Sequence, residues 1–180
     1  MIPRSIFVAF LMLLLSTLTA QAHGPTRQKI TLTAEVAASP EEVWSVIGNF
    51  QDMSWHPAVF STTGEGGNEV NATRVLTLGQ EGGPTIHELL YKYSAEKMSY
   101  SYRIEQVDVK VLPVTNYSSH LTVKPREGGG SIIEWRGAFY RGYPNNDPPP
   151  ELNDEAAVSA VSAVYQAGLD ALTERFGPAS

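Results

Sequence analysis

Two strand-borne charges stand out among the residues able to do chemistry. Arg74 lies in the run Thr73–Leu78 and Glu88 in Thr85–Tyr93, and each is flanked by apolar residues. If both side chains turn inward they can pair, or together hold a polar group of a ligand. An isolated buried charge is costly, so each would need the other. Alternation does not decide the matter for Glu88, because His87, Leu89 and Tyr91 form the more apolar parity. On pattern alone, inward and outward orientations both stay open.

Other reactive signatures are scarce. His87-Glu88-Leu89-Leu90-Tyr91 has the start of a zinc-protease motif, but Tyr91 stands where the second histidine is required. The run is also strand-like, so its ends do not share one helical turn. Gly64-Glu65-Gly66 has no helix after it and reads as a hairpin. His23, His56, His87 and His120 fall on four separate segments with no paired spacing of metal ligands. His23 would become an N-terminal residue after leader cleavage, offering an amine and an imidazole to copper. The stronger expectation is that no metal or cofactor is held and that no residue is assigned as catalytic. Aromatics are dense, Trp55, Tyr91, Tyr102, Tyr117 and Trp135 among them. Such side chains suit a semi-polar ligand pocket and an ordinary sheet core equally well.

The elements that would position these residues follow from periodicity. Lys29–Ala37 alternates as a half-buried strand. Ser39-Pro40-Glu41-Glu42 then supplies a capping residue, a proline for the first turn and a glutamate to complete a capping box. Val43, Trp44, Val46, Ile47 and Phe50 lie along one side of the helix that it opens. A second short helical turn is expected around Gln51–Trp55, ending before Pro57. Six strands are predicted next, over Val59–Thr63, Thr73–Leu78, Thr85–Tyr93, Ser99–Lys110, Asn116–Val123 and Ser131–Tyr140. Their short linkers favour antiparallel hairpins. Tyr143–Pro150 reads as an extended spacer. Asp154–Phe176 is a long helix whose stripe is Val158, Val161, Tyr165, Leu169, Leu172 and Phe176, stopped by Gly177-Pro178. Ala157, Ala160 and Gly168 either let the sheet approach or leave room for a ligand. The order describes an α+β domain, a curved antiparallel sheet around its C-terminal helix.

The first residues read differently. Arg4, the apolar run Ile6–Leu18 and Ala20-Gln21-Ala22 have the form of a signal peptide. We expect a leader over residues 1–22, a single domain over 23–180 and a periplasmic location. The formal net charge is −6, and no stretch clusters lysine or arginine. That balance argues against nucleic acid, and against a membrane partner once the leader is removed. There is no cysteine, so thiol chemistry and disulfide staples are excluded.

Several segments together resemble the START-like (SRPBCC) superfamily, which includes polyketide cyclases and birch-pollen allergen-like proteins. They are Ser39–Trp44, Trp55-His56-Pro57, Arg74-Val75-Leu76, His87-Glu88-Leu89 and Leu112–Tyr117. With a leader added, the chain is most similar to periplasmic MxaD-type proteins associated with methanol dehydrogenase. The resemblance implies a helix-grip fold with seven antiparallel strands and two short helices after the first. It implies that Arg74, Glu88, Tyr102 and Tyr117 line a cavity. Trp55 and Trp135 complete the expected ligand-binding set, although relatives would favour Glu134 over Trp135 as the inward residue. Two functions follow as expectations. The first is a non-catalytic protein that binds a hydrophobic or aromatic small molecule and assists electron transfer between an alcohol dehydrogenase and its cytochrome c. The second is a cyclase- or dehydratase-like enzyme using Glu88 as acid or base.

Overall fold

A computed structural model describes residues 24–179. The expected leader and His23 lie outside the described residues. The chain runs through β1 (Gln28–Val36), α1 (Pro40–Ile47), β2 (Val59–Glu65), β3 (Thr73–Leu78), β4 (Thr85–Ser94), β5 (Ser99–Val107), β6 (Val114–Pro125), β7 (Ser131–Arg141) and α2 (Asp154–Phe176). The strands form one antiparallel sheet in the order β1-β7-β6-β5-β4-β3-β2. Five of its six connections are hairpin-like, as short linkers dictate. The remaining one joins β1 to β2 through α1, so the two ends of the sheet are consecutive in sequence.

Helix α1 starts as its sequence dictates. Ser39 Oγ accepts from the Glu42 amide at 3.3 Å, and the Glu42 carboxylate accepts from the Ser39 amide at 2.8 Å. Val43 and Ile47 are its buried residues. The second short helix is corrected: Asn49–His56 is a succession of three-residue turns. Asn49 Oδ1 accepts from the Gln51 amide and Asp52 Oδ1 from the Ser54 amide. Asn68 and Thr62 side chains take the amides of Phe50 and Met53. With those donors held by side chains, a helical ladder has lost its competition.

Strand alternation places Leu76, Glu88, Leu90, Tyr100, Tyr102, Tyr117, Leu121, Ile133, Trp135 and Phe139 on the inner face, all buried. Helix α2 lies against that face, mainly over β1 and β7. Asn153 caps it by accepting from the Ala156 amide at 2.8 Å, and Gly177 ends it at φ +74°. Val161, Tyr165, Leu169 and Leu172 are its buried stripe, with Val158 and Phe176 packed at the margin. Each fully buried side chain of this kind contributes about 1.5–3 kcal/mol. Strand β5 stops at Val107, three residues short of the expected end, and β6 begins earlier than expected, at Val114. A short 3₁₀ turn at Pro150–Leu152 lies between the extended spacer and α2.

Candidate functional site

The register of β3 and β4 sets Arg74 opposite Glu88, and both side chains turn inward. Arg74 Nε donates to Glu88 Oε2 at 2.6 Å, and Nη1 donates to the Phe50 carbonyl at 2.7 Å. The guanidinium lies 4.3 Å from the Phe50 ring centre and 4.8 Å from that of Tyr102. Nη2 has no hydrogen-bond partner. Burial opposes the charge on Arg74, but the Glu88 carboxylate, its hydrogen bond and the neighbouring Tyr100 and Tyr102 together outweigh it, and the guanidinium stays protonated. Burial pushes the Glu88 carboxyl above the range of an exposed glutamate, while Arg74 pulls it back. The more apolar parity of β4, with His87, Leu89 and Tyr91, faces outward.

Beside the pair runs a chain of hydroxyls with one possible polarity. Ser119 Oγ donates to the Arg136 carbonyl at 2.9 Å, which uses its only proton. It must therefore accept from Tyr165 Oη at 2.8 Å and from Trp135 Nε1 at 2.9 Å. Tyr165 has then used its own proton and accepts from Tyr117 Oη at 2.6 Å. Trp135 Nε1 also reaches Tyr102 Oη at 3.2 Å. That leaves the Tyr102 proton with no protein acceptor among the described residues. Burial raises the pKa of Tyr102, Tyr117 and Tyr165 well above that of free tyrosine, so all three remain phenols.

These groups border a small, partly open cavity of about 80 Å³. Glu88, Tyr102, Tyr117 and Trp135 line it, together with apolar side chains that include Met53, Leu76, Ile104 and Leu112. Glu88 Oε1 makes no protein hydrogen bond among the described residues. Its half-open side lies between Ala58 and Val59 after the turns and Val164 on α2. Two expected liners are displaced. Arg74 sits behind Glu88, and Trp55 packs against Trp135 with ring centres 5.7 Å apart, its Nε1 without a partner. Trp135 is inward and Glu134 outward, where Glu134 pairs with Lys124 and Arg136. Apolar alternation, rather than the pattern of relatives, describes β7.

Sequence reasoning weighed His56 only as a metal ligand and left it out of the site. It is 2% exposed and wedged against the middle of α2. The Ala58 amide donates to Nδ1 at 3.2 Å, so Nε2 carries the proton and donates to the Val164 carbonyl at 2.9 Å. Burial holds its pKa below that of ordinary histidine, Val164 partly offsets this, and Arg74 adds to it. Gly168 permits the approach. A Cβ there would fall 2.7 Å from His56 Cδ2 and 2.9 Å from Trp135 Cζ3. A glycine inside a helix was the available signal, since it costs about 1 kcal/mol unless packing requires it. Among the described residues, no three histidine, cysteine or acidic side chains gather as a metal site.

Several solved structures share this fold. XoxI from Bacillus cereus is 33% identical, with 82% of this chain and 94% of that one covered and a TM-score of 0.68. An uncharacterised protein of Bacillus thuringiensis is 33% identical, with 83% and 98% covered and a TM-score of 0.69. Norcoclaurine synthase from Thalictrum flavum, 19% identical, shares the fold over 83% and 86% with a TM-score of 0.58. None of the curated proteins matches significantly. Residues 27–177 match the family described as polyketide cyclase / dehydrase and lipid transport, and the chain belongs to that family.

Proposed function

We propose that the cavity binds a small, mostly apolar ligand and that the chain is a non-catalytic periplasmic accessory protein. In this reading it assists electron transfer between an alcohol dehydrogenase, such as methanol dehydrogenase, and its cytochrome c. The observation that carries the binding half is the pair of unused polar groups at one apolar cavity. Glu88 Oε1 can accept from a ligand hydroxyl or amine, and Tyr102 can donate to a ligand oxygen. A volume of about 80 Å³ is below the ~300 Å³ where drug-sized pockets begin. Binding must therefore widen the cavity, and the Ala58–Val164 side is the natural place. The accessory half is supported by the resemblance to MxaD-type proteins and by the leader-like Ile6–Leu18 run.

Titration with the fluorescent probe 8-anilinonaphthalene-1-sulfonate tests the cavity. One equivalent should bind, and Val164→Trp, at the cavity's edge, should weaken binding; absence of both effects removes the cavity as a site. Adding the purified protein to an alcohol dehydrogenase and cytochrome c tests the partner. Unchanged cytochrome-linked oxidation, with no binding to either component, would exclude the accessory role.

A second reading rests on Glu88, a buried carboxyl with a raised pKa on the cavity wall. It suits general acid or base work in a cyclase- or dehydratase-like reaction on an aromatic or hydrophobic substrate. In that case Glu88→Gln should abolish turnover while the fold survives, and retained turnover rejects this role.

A further inference from the structure

The outer face of the sheet reverses the charge balance of the chain. The whole sequence is acidic, with formal net charge −6 and no clustered cations along the string. Strand pairing nevertheless gathers Lys29, Lys92, Arg103, Lys124 and Arg136 on that face, joined by Arg27 beside Ser118 and Tyr140, against Glu105 and Glu134 within it and Glu35 and Glu65 on the two edge strands. Glu134 is shared by Lys124 at 3.2 Å and Arg136 at 3.3 Å, and Glu105 is held by Arg103. Lys29 and Lys92 form no ion pair among the described residues. The registers set Arg136, His120, Ser101 and Lys92 in one row across β7, β6, β5 and β4. Ser101 and Thr122 hydroxyls, each 2.7 Å from a ring nitrogen, fix the His120 imidazole. Two shallow depressions of about 240 and 400 Å³ meet over Tyr91 and His120.

We propose that this face docks an extended acidic segment of a partner protein, laid across β7 to β4 over Tyr91 and His120. Spacing supports an extended peptide. Neighbouring strands are about 4.8 Å apart, so Arg136 and Lys92 are separated by roughly 14 Å. An extended chain advances about 3.4 Å per residue, so carboxylates four residues apart reach both cations. Tyr91 supplies a half-exposed aromatic surface between them, the residue type enriched at protein interfaces. Nucleic acid and lipid bilayers fit less well. Their repeated phosphates would meet Glu134 and Glu105 within the face and the acidic remainder of the chain around it. A segment of a few residues stays inside the basic area.

The test uses fluorescein-labelled deca-glutamate in an anisotropy titration against the whole chain. Binding should occur at low salt and weaken at least about tenfold in Lys92→Glu/Arg136→Glu, whereas Lys110→Glu/Arg175→Glu, away from the row, should change it less than about twofold. Both row residues are exposed, and Lys92→Gln/Arg136→Gln serves if the reversal does not fold. No binding overturns the proposal, as does binding unaffected by either row variant. Tighter binding to labelled deca-thymidylate or to phosphatidylglycerol vesicles overturns it too, by assigning the face to nucleic acid or membrane.

Discussion

The two faces of this sheet are made by the same strands and hold opposite chemistry. On the inner face the most deeply buried ion pair, Arg74–Glu88, is 1% and 5% exposed and shares its surroundings with phenols, an indole and a small cavity. On the outer face, cations and carboxylates such as Arg103 and Glu105 are about half exposed, interleaved with serine, threonine and His120. Inside, most polar groups have a built-in partner, and the hydroxyl chain from Tyr117 to the Arg136 carbonyl has one direction. Outside, the paired charges are only partly buried, and Lys29 and Lys92, without an ion pair among the described residues, remain available to another molecule. The comparison teaches that burial, rather than residue type, decides which ion pairs matter to the fold.

Breaking the inner pair should show this most. Arg74→Leu leaves Glu88 buried without its cation, and urea denaturation should register a loss of about 3–5 kcal/mol. Arg74→Leu/Glu88→Leu should recover much of that, since no orphan charge remains. A recovery of nothing would mean that the guanidinium matters through its contacts with Phe50 and Tyr102 instead.

Next in size is the contact between α2 and the turn before β2. Gly168→Ala should cost about 1–3 kcal/mol, because the new methyl meets His56 and Trp135 below contact distance. A thermal melt equal to that of the parent would show that the wedge yields freely. Tyr165→Phe removes the central link of the hydroxyl chain and strands the Tyr117 proton, for an expected loss of roughly 1–3 kcal/mol.

His56 gives a pH dependence of definite sign. Its pKa in the fold is lower than in the unfolded chain, where histidine titrates near pH ~6.5. As pH falls below that value, the unfolded chain takes up the proton first, and stability declines until the folded His56 is itself protonated. His120 is shifted in the same direction, with burial the main cause and Arg136 next. Glu88 acts with the opposite sign, so the informative quantity is the difference between variant and parent. His56→Gln should lose less stability between pH 7 and pH 5 than the parent, read from urea midpoints; parallel losses would place the acid sensitivity elsewhere.

The smallest effect belongs to the outer face. Glu134→Ala removes two partly exposed ion pairs and should change stability by no more than about 1 kcal/mol. A larger loss would mean that the outer network is not interchangeable with water, and would narrow the contrast between the faces.

How far these features could be read from the residues varies with their range. Ser39–Glu42 capping, the bounds of α2 and the inward parity of Trp135 are local patterns, each complete within one turn or one strand. The turns at Asn49–His56 misled because helix periodicity and side-chain capture of amides compete over the same few residues, and the captors Thr62 and Asn68 lie outside the segment. Glu88 stayed ambiguous because both parities of β4 carry apolar residues.

Order of elements, antiparallel hairpins and the helix that lies on the sheet all follow from hydrophobic period, caps and linker length, which neighbouring residues specify. The Arg74–Glu88 contact, the direction of the hydroxyl chain, the His56 wedge at Gly168 and the basic row on the outer face do not. Each joins residues on different elements, at least 14 positions apart, and the register and curvature that bring them together are set by the packing of the whole sheet against α2. Burial then assigns a polar side chain its role, and burial is a property of the assembled domain.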